Sequence, residues 1–390
     1  MRGVLFYTEN FSGRDSKGGT EVATYRIAKA LKESGKFRIY NAFRHHANGS
    51  DSSIYQATIK LGKGSSFVDK LSEFIRDNQI DVVVNMTRFF RHNAIIKGVD
   101  KSGRQVKIIF MQHFAPGSEF KKATFKSGLH LLKLNPFNPL YWLRASVYPL
   151  IKLPRNKRLS QLYRTVYDTS NHIVLLSEDY KEEFGHIGKF NERDKFISIP
   201  NIFETQEKIP DKKKQHRVLI LSRMDEIQKR LSLALKIWSN IEDDPDLSHW
   251  HLDIVGEGHN TDIVKRLIKK YGLEHVTLHG WQDRKPFLEN SSILMMTSEY
   301  EGLPLTLLEA QAYGVVPIAF DSFASLKDVV TPYQTGVVVK NFGDIEDYTK
   351  KLTELMYDGT YREELSQNAK KNIENFSTKN IAEQWLKILT

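Results

Sequence analysis

SSILMMTSEYEGLPLTLLEAQAYGVVPIAF, residues 291–320, holds two short apolar runs, SILMM (292–296) and VVPIAF (315–320), with a helix-like pattern between them. Strand, crossover helix and second strand form the elementary unit of a parallel sheet, because parallel strands need a connection of a dozen residues or more. The same stretch sets Glu301 just before the helix and Glu309 inside it, eight positions on. A helix start presents amide N–H groups without intrahelical partners, which suits an anionic group. Two readings compete for this pair. In one, Thr306 caps the helix and Glu309 closes a capping box three residues later. In the other, both carboxylates bind a ligand, and that reading also gives Gly302 and Pro304 a purpose.

Working outward, the same alternation recurs along the chain. Apolar runs stand at VLFY (4–7), DVVVN (81–85), VKIIF (106–110), HIVLL (172–176) and KFISI (195–199), then at RVLIL (217–221), HLDIV (251–255), VTLHG (276–280) and GVVV (336–339). Amphipathic stretches at 20–34, 229–241, 260–271 and 345–357 lie between several of them. The pattern predicts an α/β chain of two Rossmann-like domains, 1–203 and 217–377, with parallel sheets covered by helices. The polar stretch ETQEKIPDKKKQH (204–216) reads as the linker, and 378–390 as a terminal helix with the first domain as a candidate packing partner. A chain of 390 residues is also long for one core.

Composition narrows the chemistry. The chain has no cysteine, which removes disulfides, thiolate nucleophiles and cysteine-based zinc sites together. No HExxH is present, and the one DxD-like triplet, Asp244–Pro245–Asp246, falls in a polar turn, so no metal site is expected. The amino terminus reads as a first strand, not a signal peptide, and no apolar run reaches membrane-spanning length. A formal charge of +10 favours anionic partners. Residues 120–167 carry ten Lys or Arg and no Asp or Glu, interleaved with Leu, Phe, Tyr and Trp142. That mixture suits an anionic membrane surface, with an acidic acceptor groove and an ordinary fold surface as the other readings. Prolines cut the segment, which predicts short helices and turns. No nucleic-acid recognition motif accompanies the charge.

Four further features stand at strand ends, where open α/β sheets bind ligands. Gly18 and Gly19 precede the first helix and permit close approach to its amino end, although the GxGxxG fingerprint is absent. His113 follows the run 106–110 and reads either as a polar contact in a cleft or as a satisfied loop histidine. Arg223 and Lys229 follow the run 217–221 and form a cation pair able to neutralise a diphosphate leaving group. Gly256 and Gly258 follow the run 251–255, as ligand-approach positions or simple turns.

Together these motifs resemble the retaining nucleotide-sugar glycosyltransferases of family 4, whose fold (GT-B) is two Rossmann-like domains facing each other across a cleft. The shared pattern is GG after the first strand, His after a central strand, an Arg…Lys pair, GxG and E-x7-E. The resemblance implies a UDP-sugar co-substrate with no essential metal. Glu309 would hold the ribose hydroxyls, and Glu301 the donor sugar. Gly302, Leu305 and Thr306 would lie near the sugar hydroxyls and diphosphate. Arg223 and Lys229 would bind the diphosphate, Gly256 would lie in the donor site, Gly18 and Gly19 near the phosphates, and His113 at the sugar. Arg223, Lys229, Glu301 and His113 are the catalytic candidates. The chain departs from the family in DSFASLKDVV (321–330), where Asp328 stands for the usual acidic residue. The expected activity is transfer of a hexose or N-acetylhexosamine to a saccharide or lipid-linked acceptor in cell-envelope polysaccharide or lipopolysaccharide synthesis. The expected location is cytoplasmic, peripherally at the inner face of the membrane. An epimerase or hydrolase of the same fold, and a non-catalytic sugar- or membrane-binding scaffold, are the competing functions.

Overall fold

Seven strands of the first half join in one parallel sheet. They are Arg2–Thr8 (β1), Phe37–Phe43 (β2), Ala57–Lys60 (β3), Ile80–Asn85 (β4), Lys107–Gln112 (β5), His172–Leu175 (β6) and Phe196–Ser198 (β7). Their order is β3-β2-β1-β4-β5-β6-β7. The computed structural model describes residues 1–16, 18–45, 53–121, 124–204, 209 and 212–390. β1 is buried from Gly3 to Thr8, as expected of a strand covered on both faces. β2 and β3 were not legible as apolar runs. FRIYNAF mixes Asn41 into its core positions, and ATIK alternates partly buried with exposed residues. Asn41 is fully buried and satisfied, donating through Nδ2 to Phe6 O at 3.0 Å and accepting the Ser12 N–H at 3.3 Å.

The second half forms a six-stranded parallel sheet from Arg217–Leu221 (β8), His251–Val255 (β9), Val276–Gly280 (β10), Ile293–Met296 (β11), Val316–Phe320 (β12) and Val337–Val339 (β13). The order β10-β9-β8-β11-β12-β13 reverses between β8 and β11. This is the topological switch point at which open sheets hold ligands beyond their carboxyl ends.

The chain divides into two units. The first comprises residues 1–117, 154–204 and 376–390, and the second 118–153 and 205–375. The terminal helix Thr378–Leu389 lies in the first unit and buries Ile381, Trp385 and Leu389. Arg2 and Lys107 donate to the Leu389 and Ile388 carbonyls at 2.9 and 2.8 Å, setting cations at the negative end of that helix.

The basic segment differs from expectation in two ways. Its portion Ser118–Leu153 belongs to the second unit, not the first. The reason is packing: Leu131 is 2% exposed and lies in the core cluster that contains Met224, Ile227 and Trp238. Short pieces are also not what forms beyond Pro139, because one helix runs from Pro139 to Thr169. Pro139 is its first residue, where the missing N–H costs nothing, and the later prolines each remove one donor from an otherwise continuous ladder. The unit division falls within this helix. Lys122 and linker residues 205–208, 210 and 211 lie outside the described residues. Among the described residues no helix is long and apolar enough to cross a membrane.

Candidate functional site

The loop Ser222–Arg230 leaves β8 at the switch point and is fastened to the loop after β9. Met224 N donates to Glu257 O at 3.0 Å, and Asn260 N to Met224 O at 3.1 Å. This zipper explains both glycines of GEG. A Cβ on Gly256 would stand 2.0 Å from Ser222 O, and φ there is +136°. A Cβ on Gly258 would stand 2.6 Å from Met224 O. Only glycine lets these backbones meet. A concavity of about 660 Å³ opens beside them, lined by Glu257, Gly258, Thr261, Lys265, Leu278, His279 and Gly280.

Side chains tie the β8 loop to the loop after β11. Lys229 Nζ donates to Glu301 Oε1 at 2.5 Å, with side chains only 13% and 9% exposed. Gln228 Nε2 donates to Glu301 Oε2 at 3.2 Å and to Tyr300 O at 3.1 Å. Arg230 Nε donates to Glu299 Oε2 at 2.7 Å, and Thr297 Oγ1 to Lys229 O at 2.9 Å. Arg223 is exposed, with Gln228 Oε1 3.4 Å from its guanidinium. The arrangement is a largely buried ion pair flanked by an exposed guanidinium. An anionic ligand there would meet two cations and one fixed carboxylate. Burial, with help from Asp225, Glu299 and Glu301, raises the Tyr300 phenol well above its ordinary value, so it stays protonated beside them.

The helix Leu305–Ala312 begins with Pro304 as its cap residue and has no side-chain cap. Thr306 is therefore inside the helix, and the capping-box reading of Thr306 and Glu309 is overturned. Pro304 fixes the extended entry (φ −74°, ψ 103°) that a capping threonine would otherwise provide. Glu309 instead accepts Arg284 NH1 on both oxygens, at 2.7 and 2.8 Å. The site candidates Gly302, Leu305 and Thr306 are each only partly buried at this uncapped helix start.

Gly18, Gly19 and His113 belong to the first unit. Gly18 caps the helix Gly19–Glu33, and a Cβ on it would meet the Glu21 carboxylate at 2.1 Å. Glu21, held by Asn10 Nδ2 at 2.9 Å, thus already covers that helix end with negative charge. Around Gly19 nothing lies within 4 Å of an added Cβ, so its backbone is the approachable one. His113 follows β5; its Nε2 is buried with no hydrogen-bond partner among the described residues, and burial lowers its pKa to about 4.

No local sequence signal marks Gln228, Arg230–Glu299 or Arg284, whose partners lie 25 to 73 positions away. Among the described residues no group of three or more His, Asp or Glu is placed to hold a metal ion.

Residues 201–372 match the family described as glycosyl transferases group 1. The chain is 30% identical over 207 residues to the amylovoran biosynthesis glycosyltransferase AmsD of Erwinia amylovora, covering 53% of this chain and 54% of AmsD. It is 27% identical over 176 residues to an α-1,4-N-acetyl-D-galactosaminyltransferase of Campylobacter jejuni acting on an undecaprenol-linked saccharide, covering 45% and 48%. The chain thus matches about half the length of these curated relatives. Among solved structures, HepE of Anabaena with UDP has a TM-score of 0.73 at 15% identity, covering 100% of this chain and 99% of HepE. At that identity the likeness is one of fold, and the fold is GT-B. The group 1 match contains every second-unit candidate, from Arg223 to Glu309.

Proposed function

We propose that the protein is a retaining glycosyltransferase that moves a hexose or N-acetylhexosamine from a UDP-sugar to a saccharide or lipid-linked acceptor of cell-envelope polysaccharide or lipopolysaccharide synthesis. The observation that carries this is the Arg223–Lys229–Glu301 cluster at the switch point of a group 1 domain. Lys229 and Arg223 bind the diphosphate and stabilise the charge it gains on leaving. Glu301, oriented by Lys229 and Gln228, accepts from hydroxyls of the donor sugar. Glu309 accepts from the ribose hydroxyls, with Arg284 fixing its carboxylate. Gly302, Leu305 and Thr306 offer backbone amides to diphosphate and sugar oxygens, Gly256 opens the nucleotide side, and Gly19 and His113 act from the first unit. Both glutamates being engaged in binding, departure and attack occur on one face, with the leaving phosphate taking the acceptor's proton.

The experiment is a screen of nucleotide sugars by calorimetry and by product analysis with and without acceptor. UDP-sugar binding with acceptor-dependent transfer is the expected result. Turnover without acceptor would give hydrolysis or epimerisation instead, and binding of no nucleotide would remove the enzyme reading.

The acceptor side of this proposal includes an anionic membrane surface, at the cytoplasmic face. Phe137, Leu140, Trp142, Leu143 and Val147 are 92%, 68%, 57%, 60% and 38% exposed. Trp142 Nε1 donates to Pro136 O at 2.8 Å, so the exposed indole has no polar hydrogen left to hydrate. Lys126, Lys133 and Lys152 are exposed in the same segment. Shallow insertion with charge attraction suits this surface.

A further inference from the structure

Glu226 lies midway between Arg223 and Lys229, and its carboxylate is fully buried. Its Oε2 accepts the Ser232 N–H at 3.1 Å, at the start of the helix Leu231–Ser239, and Ser232 Oγ donates to Oε1. Oε1 also faces His130 Nε2 at 3.0 Å. A carboxylate only accepts, so that nitrogen carries the proton. His130 comes from the helix Phe125–Leu134 of the basic segment, 96 positions away. A second tie runs through Asn260, whose Oδ1 accepts the Glu226 N–H at 2.9 Å and whose Nδ2 donates to Tyr141 OH at 3.3 Å. Leu131, next to His130, is buried in the cluster containing Met224 and Ile227. One strip of chain therefore grips the β8 loop from outside at three points.

We propose that His130 and Tyr141 are positioning residues, holding the Arg223–Lys229 loop in its ligand-binding shape through Glu226 and Asn260. The physical reason is leverage. Both cations lie three residues from Glu226, so a shift of that anchored carboxylate moves both. Displacement of a catalytic group by about 1 Å can cost on the order of 100-fold in rate. A buried carboxylate also has to find partners for its acceptor sites, and losing His130 leaves Ser232 to supply them alone. The identity of the ligand rests on the glycosyltransferase reading; the grip on the loop does not.

The test uses the full chain with His130→Ala, His130→Gln and Tyr141→Phe, and two readouts. Hydrogen exchange of the amides of residues 222–230 reports the loop itself, and calorimetry with UDP reports its consequence. His130→Ala is expected to speed exchange in 222–230 by about tenfold, with little change in the sheet strands, and to weaken UDP binding by a similar factor. His130→Gln, which keeps an N–H donor, is expected to recover most of both. If His130→Ala fails to fold, exchange in Tyr141→Phe decides. Unchanged loop exchange, or a rise spread evenly over the second unit, overturns the proposal. Should the wild type not bind UDP, the glycosyltransferase reading fails and loop exchange alone decides for or against the grip.

Discussion

Lys229 and Glu301 illustrate what a pairing does to two residues that sequence reasoning treats separately. Each appeared as a ligand-binding group, and the fold makes them partners before any ligand arrives. Their removal therefore has two consequences. Lys229→Ala is expected to lower turnover and also stability, because it strips a buried carboxylate of its cation. Arg223→Ala, with its guanidinium exposed, is expected to lower turnover about 100- to 1,000-fold at saturating donor while the melting temperature stays near the wild type. Equal turnover in Arg223→Ala and wild type would take that residue out of the mechanism. Glu309→Gln is expected to weaken UDP affinity by about tenfold or more, as a charged acceptor is replaced by a neutral one. Arg284→Ala is the control for its partner. If both variants lost only thermal stability and calorimetry with UDP stayed constant, the Glu309–Arg284 pair would be structural.

At the scale of elements, the glycines separate into two kinds. Gly256 and Gly258 let the β8 and β9 loops touch, and an alanine at either collides with backbone oxygen. Gly256→Ala is expected to cost about 1–3 kcal/mol in chemical denaturation, and to lower UDP affinity with it. Gly19 sits in open space at a helix start. Gly19→Ala is expected to leave stability unchanged or slightly higher while cutting transferase activity, since an added methyl obstructs only an approaching ligand. Full activity in Gly19→Ala would show that no ligand passes there. The long helix Pro139–Thr169 carries the reverse lesson. Local proline statistics predicted breaks, and burial of Leu159, Tyr163 and Val166 along its second half outweighed them.

For the whole molecule, acid and salt are the informative variables. Burial lowers both His92 and His113 to about pKa 4. Unfolded histidine titrates near 6.5, so the unfolded chain binds more protons between these values. This contribution to stability is complete above about pH 6.5 and is lost as pH falls toward 4. His92→Gln is expected to flatten the decline in denaturation midpoint across that window; an unaltered slope would exclude His92 as a source. Association with anionic vesicles is expected at about 0.1 M salt and to be largely lost at about 1 M, where the screening length falls from about 10 Å to about 3 Å. Equal co-sedimentation with neutral vesicles would remove the electrostatic part of the membrane proposal.

Every strand except β2 and β3, the parallel sheets and the positions of Arg223, Lys229, Glu301 and Glu309 were readable in the chain because each is local. An apolar run of four to six residues declares a strand, and a polar group just past it declares a strand end. The partners were not readable. Gln228 on Glu301, Arg284 on Glu309 and His130 on Glu226 join residues 25 to 96 positions apart. No period or propensity encodes such pairs. Likewise, the basic segment's composition marked it as unusual, but only the burial of Leu131 decided which unit it serves. Composition is a property of the chain, whereas a carboxylate's partner is set by which side chains the packed core of the second unit brings within hydrogen-bonding distance.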